Sequence, residues 1–393
     1  MNRLLLTLVF AARLYGACAV SWGNGYLYCR ELTVDHTKVP SNQASFPFPV
    51  CFDSSIAANC SANAKELATE ANGGRLTNAS GFDFIFTSDN AGTTPIPYER
   101  AIQNTTTGAA ELWVNGGTLS STVDTKIYLF YHNNSVTTDQ SNPTAVWDVN
   151  YRGVHHFNQQ SGNVVAAADS TSNANNLTLN GVSGNLLGAS GVLGGAVQWT
   201  GAAASLTNGA PSNIPTGSAP RTLEIWANTT GNGFIQFAYC IGANGTDQRF
   251  SLILDSTPTW AVEGTNVEAT FPAGTGAFHH FVLALPMGST TFMGTLPYVD
   301  GSLQTLTNVA NWTDTVNTVL GDYRIGALCG VGGSVFILNN GALVDEARIS
   351  DIARSADWIK TEYNSQSNPN TFYSVGAENV IGTGGGPRPV IFR

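Results

Sequence analysis

The chain has 393 residues, a formal net charge of −10 and only 11% charged residues, against roughly a quarter in an average soluble domain. Lysine stands only at Lys38, Lys65, Lys126 and Lys360, so the clustered basic surface that nucleic acid or an anionic membrane requires is excluded. With 42 Gly, 16 Pro and 42% hydrophobic residues, the chain is too rich in turn formers for a helical bundle and too apolar for disorder.

The N-terminus reads as an export signal. Arg3 is a short basic region, residues 4–12 are apolar, and Ala17-Cys18-Ala19 fits a small-x-small cleavage site. These features predict a signal peptide over 1–19 and a mature chain from Val20, secreted or displayed at a cell surface. The competing reading is a buried N-terminal strand, which Arg13 within the apolar stretch keeps open. No later segment approaches the ~18 consecutive apolar residues of a membrane-spanning helix. Export permits disulfides. Cleavage after Ala19 leaves Cys29, Cys51, Cys60, Cys240 and Cys329, an odd number, and so at least one unpaired thiol. Cys51 and Cys60 are close enough to close a loop, and Cys240 and Cys329 are the two cysteines of the second half. Sequence alone does not fix the pairing. No Cys-x-x-Cys spacing points to zinc.

From residue 20 to about 145, short alternating or aromatic-rich runs alternate with turn signals, as in Phe82-Asp83-Phe84-Ile85-Phe86, Glu111-Leu112-Trp113-Val114 and Lys126-Ile127-Tyr128-Leu129-Phe130-Tyr131. This is the rhythm of a β-sandwich. A short helix fits residues 61–69. A second strand series starts near residue 150 and includes Gly195-Ala196-Val197-Gln198-Trp199, Leu223-Glu224-Ile225-Trp226, Phe281-Val282-Leu283 and Tyr323-Arg324-Ile325. Residues 351–363 are the best helix candidate, and 379–393 read as a flexible tail. The expected class is all-β: two antiparallel sandwiches, over 20–145 and 146–378, with one short helix near 351–363.

Residues 26–49, with Gly81-Phe82-Asp83-Phe84-Ile85-Phe86-Thr87, Leu112-Trp113-Val114 and Ile127-Tyr128-Leu129-Phe130-Tyr131, resemble an uncharacterised domain of bacterial secreted proteins. The second half is similar to the laminin-G-like, concanavalin A-like jelly rolls. That likeness rests on Tyr298-Val299-Asp300-Gly301, Tyr323-Arg324-Ile325-Gly326 and, most specifically, Val344-Asp345-Glu346-Ala347-Arg348-Ile349-Ser350 with Ala353-Arg354-Ser355. The resemblance implies an antiparallel two-sheet jelly roll, often one that binds carbohydrate or a cell-surface ligand. Fold alone does not settle function. Two departures stand out. Cys29-Arg30 replaces a pair of basic residues usual in the first domain, and Pro297 suggests an edge strand.

The related jelly-roll glucanases carry Glu-x-Asp-x-x-Glu on one strand, a string this sequence lacks. Asp345 and Glu346 are adjacent, so on a regular strand they face opposite ways, and an ion pair with Arg348 or Arg354 accounts for them. His155-His156 and His279-His280 are likewise split between faces, with His156 and His280 expected inward and hydrogen-bonded. For calcium, the Asp169–Asn176 loop offers Asp169 and Asn173, completed from elsewhere by Asp345. An Asx turn is the competing reading of that loop. For sugar stacking, Trp260 and Trp312, flanked by polar residues, are read as exposed platforms, with Tyr239 beside them. Trp226 is read as core. These readings lead to a non-catalytic exported protein that recognises a glycan or surface polymer. The alternative is a self-associating structural or adhesive subunit of an extracellular filament, fibre or appendage. A glycoside hydrolase or lyase is third.

Overall fold

The computed structural model describes residues 18, 24–61, 65–201, 203–229, 231, 234–254, 260–264, 267–333 and 335–381. Nearly all regular structure is antiparallel β, in four sheets. The all-β expectation holds.

The first sandwich opposes a six-stranded sheet and a three-stranded one. In the larger sheet, Tyr28–Val34 pairs with Thr125–Tyr131, placing Leu32 opposite Ile127. Alternation sends Leu32, Val34, Ile127 and Leu129 into one core, shared with Phe48, Val50, Leu112 and Val114 of the smaller sheet. The opposite face of the larger sheet carries a second cluster of Cys18, Tyr26, Cys29, Ile85, Tyr128 and Phe130. Residues 62–64 lie outside the described residues. The rest of the expected 61–69 helix is irregular, apart from the first residue of bridges at Ser61 and Thr69.

The second sandwich opposes a nine-stranded and an eight-stranded sheet around one large core that contains Trp199, Leu206, Ile225, Tyr239, Leu252, Phe281 and Ile325. Arg221–Asn228 and Leu343–Ser350 lie side by side near the centre of the eight-stranded sheet. Pro297 sits in Leu296–Val299, next to the two-residue edge strand Ser302–Leu303.

The chain then returns to where it began. The helix Ala356–Ser367 starts at Ser355, whose hydroxyl accepts the Trp358 amide at 3.1 Å. It begins later than 351 because Leu343–Ser350 is still extended and Arg354 is held back by Asp148. Beyond it, Tyr373–Val375 adds to the first sheet alongside Tyr28–Val34, and Asn379–Val380 pairs with Tyr28 and Cys29. Tyr373 donates its hydroxyl to the Cys51 carbonyl and receives the Cys51 amide at 2.8 Å. A boundary at 378 therefore cuts through the first sandwich, and the expected tail is paired at 379–380. Residues 382–393 lie outside the described residues.

Disulfides join Cys18 to Cys29, Cys51 to Cys60 and Cys240 to Cys329, and no cysteine is free. This corrects the expected unpaired thiol: Cys18, assigned to the leader, is buried against the first sheet as the partner of Cys29. Of the expected signal peptide, 1–17 and Ala19 lie outside the described residues.

Two outcomes follow. If the chain is processed on export, intact-mass measurement of the secreted protein will place its start at or before Cys18. A chain ended after Ser350 will lose the cooperative melting of the first sandwich, because it lacks Phe372 and Tyr373 of that core. Differential scanning calorimetry should then show only the second transition.

Candidate functional site

The two sandwiches meet along a buried polar layer. Its first side comes from the three-stranded sheet. Glu111 and Trp113 alternate with the core residues Leu112 and Val114, so they point the other way, and Glu99 lies directly opposite Trp113. Its second side is the outer face of the eight-stranded sheet. Glu224 pairs with Arg348 across two strands, and His280 is opposite Trp226. The helix closes one end: Glu362 accepts the Tyr151 hydroxyl at 2.7 Å, and Gln366 accepts the Trp226 indole N–H at 2.7 Å.

A β-bulge shapes the centre. Between the pairs Glu224–Arg348 and Trp226–Asp345 the register slips by one residue, and Glu346 takes φ +49°. A non-glycine residue in this left-handed region inside a strand is strained, and such strain gathers where geometry matters. The slip also cancels the expected opposition of Asp345 and Glu346. Both are completely buried, and the charge of Glu346 adds to burial in raising the proton affinity of Asp345 and Glu111. Asp345 Oδ2 accepts the Val192 and Leu193 amides at 2.9 and 3.1 Å. Gly194, at φ +58°, lets that loop lie against Glu111; a Cβ there would fall 2.2 Å from Glu111 Oε2.

His156 stands in the middle. Its Nδ1 is 2.9 and 3.0 Å from the Glu346 oxygens and its Nε2 is 3.3 Å from Glu99 Oε2. The ring stacks on Trp113 and lies against Trp147. Glu99 also accepts the Trp147 indole N–H at 3.0 Å and the Ser170 hydroxyl at 2.5 Å. Arg348 bridges Glu224, at 2.5 Å, and Glu346, and its guanidinium lies 4.6 Å over the Trp113 ring.

Burial and charge sort these groups. Burial opposes the charge on His156, but Glu346 and Glu99 hold its imidazolium well above the ordinary range. Burial would raise Glu99, yet His156, Ser170 and Trp147 hold it below the usual value. Burial pushes Glu111 up to about 8, helped by Glu346, and raises Asp345, with Glu346 and Glu111 adding to it. Glu362 is raised in the same way, first by burial and then by Glu224. The layer thus holds ionised carboxylates beside carboxylic acids, the separation that acid–base sites use.

The layer opens on one side into a cavity of about 120 Å³, lined by the Glu99, His156, Asn158, Gln159 and Ser170 side of the junction and by Val164, Ala166, Ala167 and Val197. Glu99 and His156 therefore connect the buried layer to space that a small ligand can enter.

Of the sequence-predicted site residues, Asp345 lies in the layer and the others lie elsewhere. Trp260 is buried in a strand, its ring centroid 3.8 Å from Phe281, so an exposed platform is corrected to a core residue. Tyr239 is fully buried and shares a 2.8 Å hydroxyl contact with Tyr323. Trp312 is half-buried against the same core. Trp260 and Tyr239 lie in strands buried on both faces, their neighbours Ala261 and Cys240 belonging to a second apolar cluster, whereas Trp312 lies in a turn. Trp226 is core-like, as expected. Asp169 accepts the Val154, Thr171 and Asn175 amides at 3.0, 2.9 and 2.7 Å and the Thr171 hydroxyl at 2.9 Å, which is the Asx-turn arrangement. Asn173 bonds the Tyr151 carbonyl and Asn213. Asp345 lies in the buried layer and accepts from neither residue. Among the described residues, groups within ligand distance of one another are Glu111, His156 and Glu346 in the layer and Asp35, His36 and Asp124 at the surface.

No protein-family model matches the chain, and no curated protein matches it. Among solved structures it is similar to Trypanosoma rangeli sialidase in complex with the inhibitor DANA, with 13% identity over 63% of this chain and 41% of that one, and a TM-score of 0.39. It is similar to domain 4 of AbnA, an extracellular arabinanase from Geobacillus stearothermophilus, in complex with arabinotriose: 16% identity over 53% of this chain and 96% of that one, TM-score 0.39. The binding domain of botulinum neurotoxin serotype D matches at 10% identity over 57% and 53% of the two chains, TM-score 0.39. The chain spans about two fifths of the length of the sialidases it matches. At these TM-scores the likenesses assign no activity, ligand or site residue to it. The expectation of a protein without enzymatic activity is withdrawn: sialidases stand among the similar structures, and that likeness puts neither an activity nor its absence on this chain. Its premise also fails: the missing one-strand carboxylate string did not keep carboxylates apart, since separate strands bring them together.

One ion pair pins the junction from outside the layer. Arg354 donates to both Asp148 oxygens at 2.6 and 3.0 Å. Burial works against the charge on Asp148, but Arg354 and the Asn150 amide hold its carboxyl below the ordinary value. Its stabilisation is therefore complete above the unfolded carboxylate range of about 4 and is lost as pH falls through the depressed folded value. Asp148→Asn should cost about 3 kcal/mol at pH 7, the scale for stranding a buried partner. That cost should shrink as pH falls below about 4, as read by urea unfolding at a series of pH values.

Proposed function

We propose that this is an extracytoplasmic carbohydrate-recognising protein, in which one sugar unit of a glycan or surface polymer enters the junction cavity. The observation that carries the reading is the cavity wall: an ionised Glu99 and the Ser170 hydroxyl stand beside Phe157, Val164 and Val197. Sugars need such a surface, with strong acceptors for hydroxyls next to apolar area for C–H faces. Glu99 is fixed by Trp147 and His156, so little ordering is left for binding to supply. Three disulfides support a place outside the reducing cytoplasm, and no described helix is long and apolar enough to cross a membrane. The self-associating alternative loses its intermolecular-thiol argument, because every cysteine is paired within the chain.

A glycan array followed by calorimetry on the best ligand tests this. Glu99→Gln should weaken binding by about 10- to 100-fold, the worth of a hydrogen bond to a charged group, with the melting profile kept as a folding control. Equal affinity in the variant would remove the cavity as the site. Release of reducing sugar from the same ligand, lost in Glu99→Gln, would add turnover to recognition.

A further inference from the structure

We infer that Glu111, His156 and Glu346, with Asp345 beside them, form a site for one divalent transition-series cation such as zinc or manganese. Single ligand atoms of the first three lie within 4.8 Å of one another, and the residues are almost completely buried. Each is held on its far side by a fixed donor or acceptor. The Trp113 indole N–H bonds Glu111 Oε1 at 2.9 Å. Arg348 holds Glu346 Oε2. With its proton on Nε2, His156 donates to Glu99 Oε2, which Trp147 and Ser170 hold in turn. That leaves Nδ1 as the ligand atom of a carboxylate–histidine–metal arrangement, the usual outer support of such sites.

The inner sides converge. His156 Nδ1 lies 2.9 and 3.0 Å from the two Glu346 oxygens, so a cation bound between them takes the place of the proton that they share. Glu111 Oε2 and Asp345 Oδ1 are buried and have no hydrogen-bond partner. Leaving a carboxylate oxygen bare in a dry layer is costly, and a cation held by the cluster answers that of Glu111. The Glu346 bulge turns its carboxylate to this point against the preference of the backbone. A donor set of one imidazole with carboxylates suits zinc or manganese; calcium takes six to eight oxygens. His156 also lines the cavity, which gives an ion a way in.

The site shares His156 with the cavity lining, but Glu111 does not line the cavity, so a Glu111 variant tests the metal apart from sugar recognition. The full chain would be secreted in medium supplemented with zinc, then with manganese, and its metal measured by mass spectrometry after dialysis. One equivalent per chain is expected. Glu111→Gln should bind at least about tenfold more weakly, while Asp124→Asn, in the surface cluster, should keep the full equivalent. A metal-free wild-type chain under both conditions, full loading of Glu111→Gln, or loss confined to Asp124→Asn would each overturn the site. If Glu111→Gln does not fold, cobalt added to the wild-type chain decides. Visible ligand-field bands from nitrogen–oxygen coordination support the site, and their absence overturns it.

Discussion

Glu224, Glu346, Arg348 and His156 are buried between two sheets, and every larger feature of the molecule is arranged to make that tolerable. A charge moved from water into a protein interior loses several kcal/mol of hydration, so each must meet a partner held in place by something else. Arg348 is the hub. It bridges Glu224 and Glu346 and lies over the Trp113 and Trp147 rings. Glu224 belongs to the second sandwich and Trp113 to the first, so one guanidinium ties both units together. The sandwiches are thus not two beads on a string: the outer face of one sheet is the inner surface of the junction.

Much of the fold was legible in the sequence. The alternation in Lys126-Ile127-Tyr128-Leu129-Phe130-Tyr131 predicts a strand with two apolar faces, and it has them, one in each cluster of the first sandwich. Leu223-Glu224-Ile225-Trp226 predicts a strand with Trp226 in the core; the strand is there, but Leu223 and Ile225 face the large core and Trp226 is buried on the other face, against His280 and Tyr363. The return of the C-terminal segment to the first sheet was not legible, because nothing in Tyr373-Ser374-Val375 names its partner strand. Sequence periodicity reports which way a side chain points and is silent about what lies opposite.

The site was harder to read for the same reason. His156 was correctly expected to be inward and bonded, since it alternates with residues that belong in a core. The expected ion pair with Arg348 is there, made by Glu346, but the opposition of Asp345 and Glu346 was misread because strict alternation was assumed through them. The bulge breaks that alternation, and only the slip in pairing with Glu224 and Trp226 reveals it. Glu99 and Glu111 carried a usable signal: acidic residues set within apolar strands, in Tyr98-Glu99 and Glu111-Leu112-Trp113-Val114, demand a buried partner. The exposed-aromatic reading failed through the converse error. Trp260 opens a strand that is buried on both faces, with Ala261 in an apolar cluster on the other side, so the polar residues near it in sequence say nothing of its surroundings.

The closing strand Tyr373–Val375 also sets an order of events. The first sandwich is made mostly of residues that precede the second in the chain, yet its sheet and core take in pieces encoded more than two hundred residues later. Until those arrive, the flank of Tyr28–Val34 that Tyr373–Val375 will cover is without its strand partner. The second sandwich, which draws its core from residues 157–349, can form first. The chain order of the two units and the order in which their cores are complete are thus opposite.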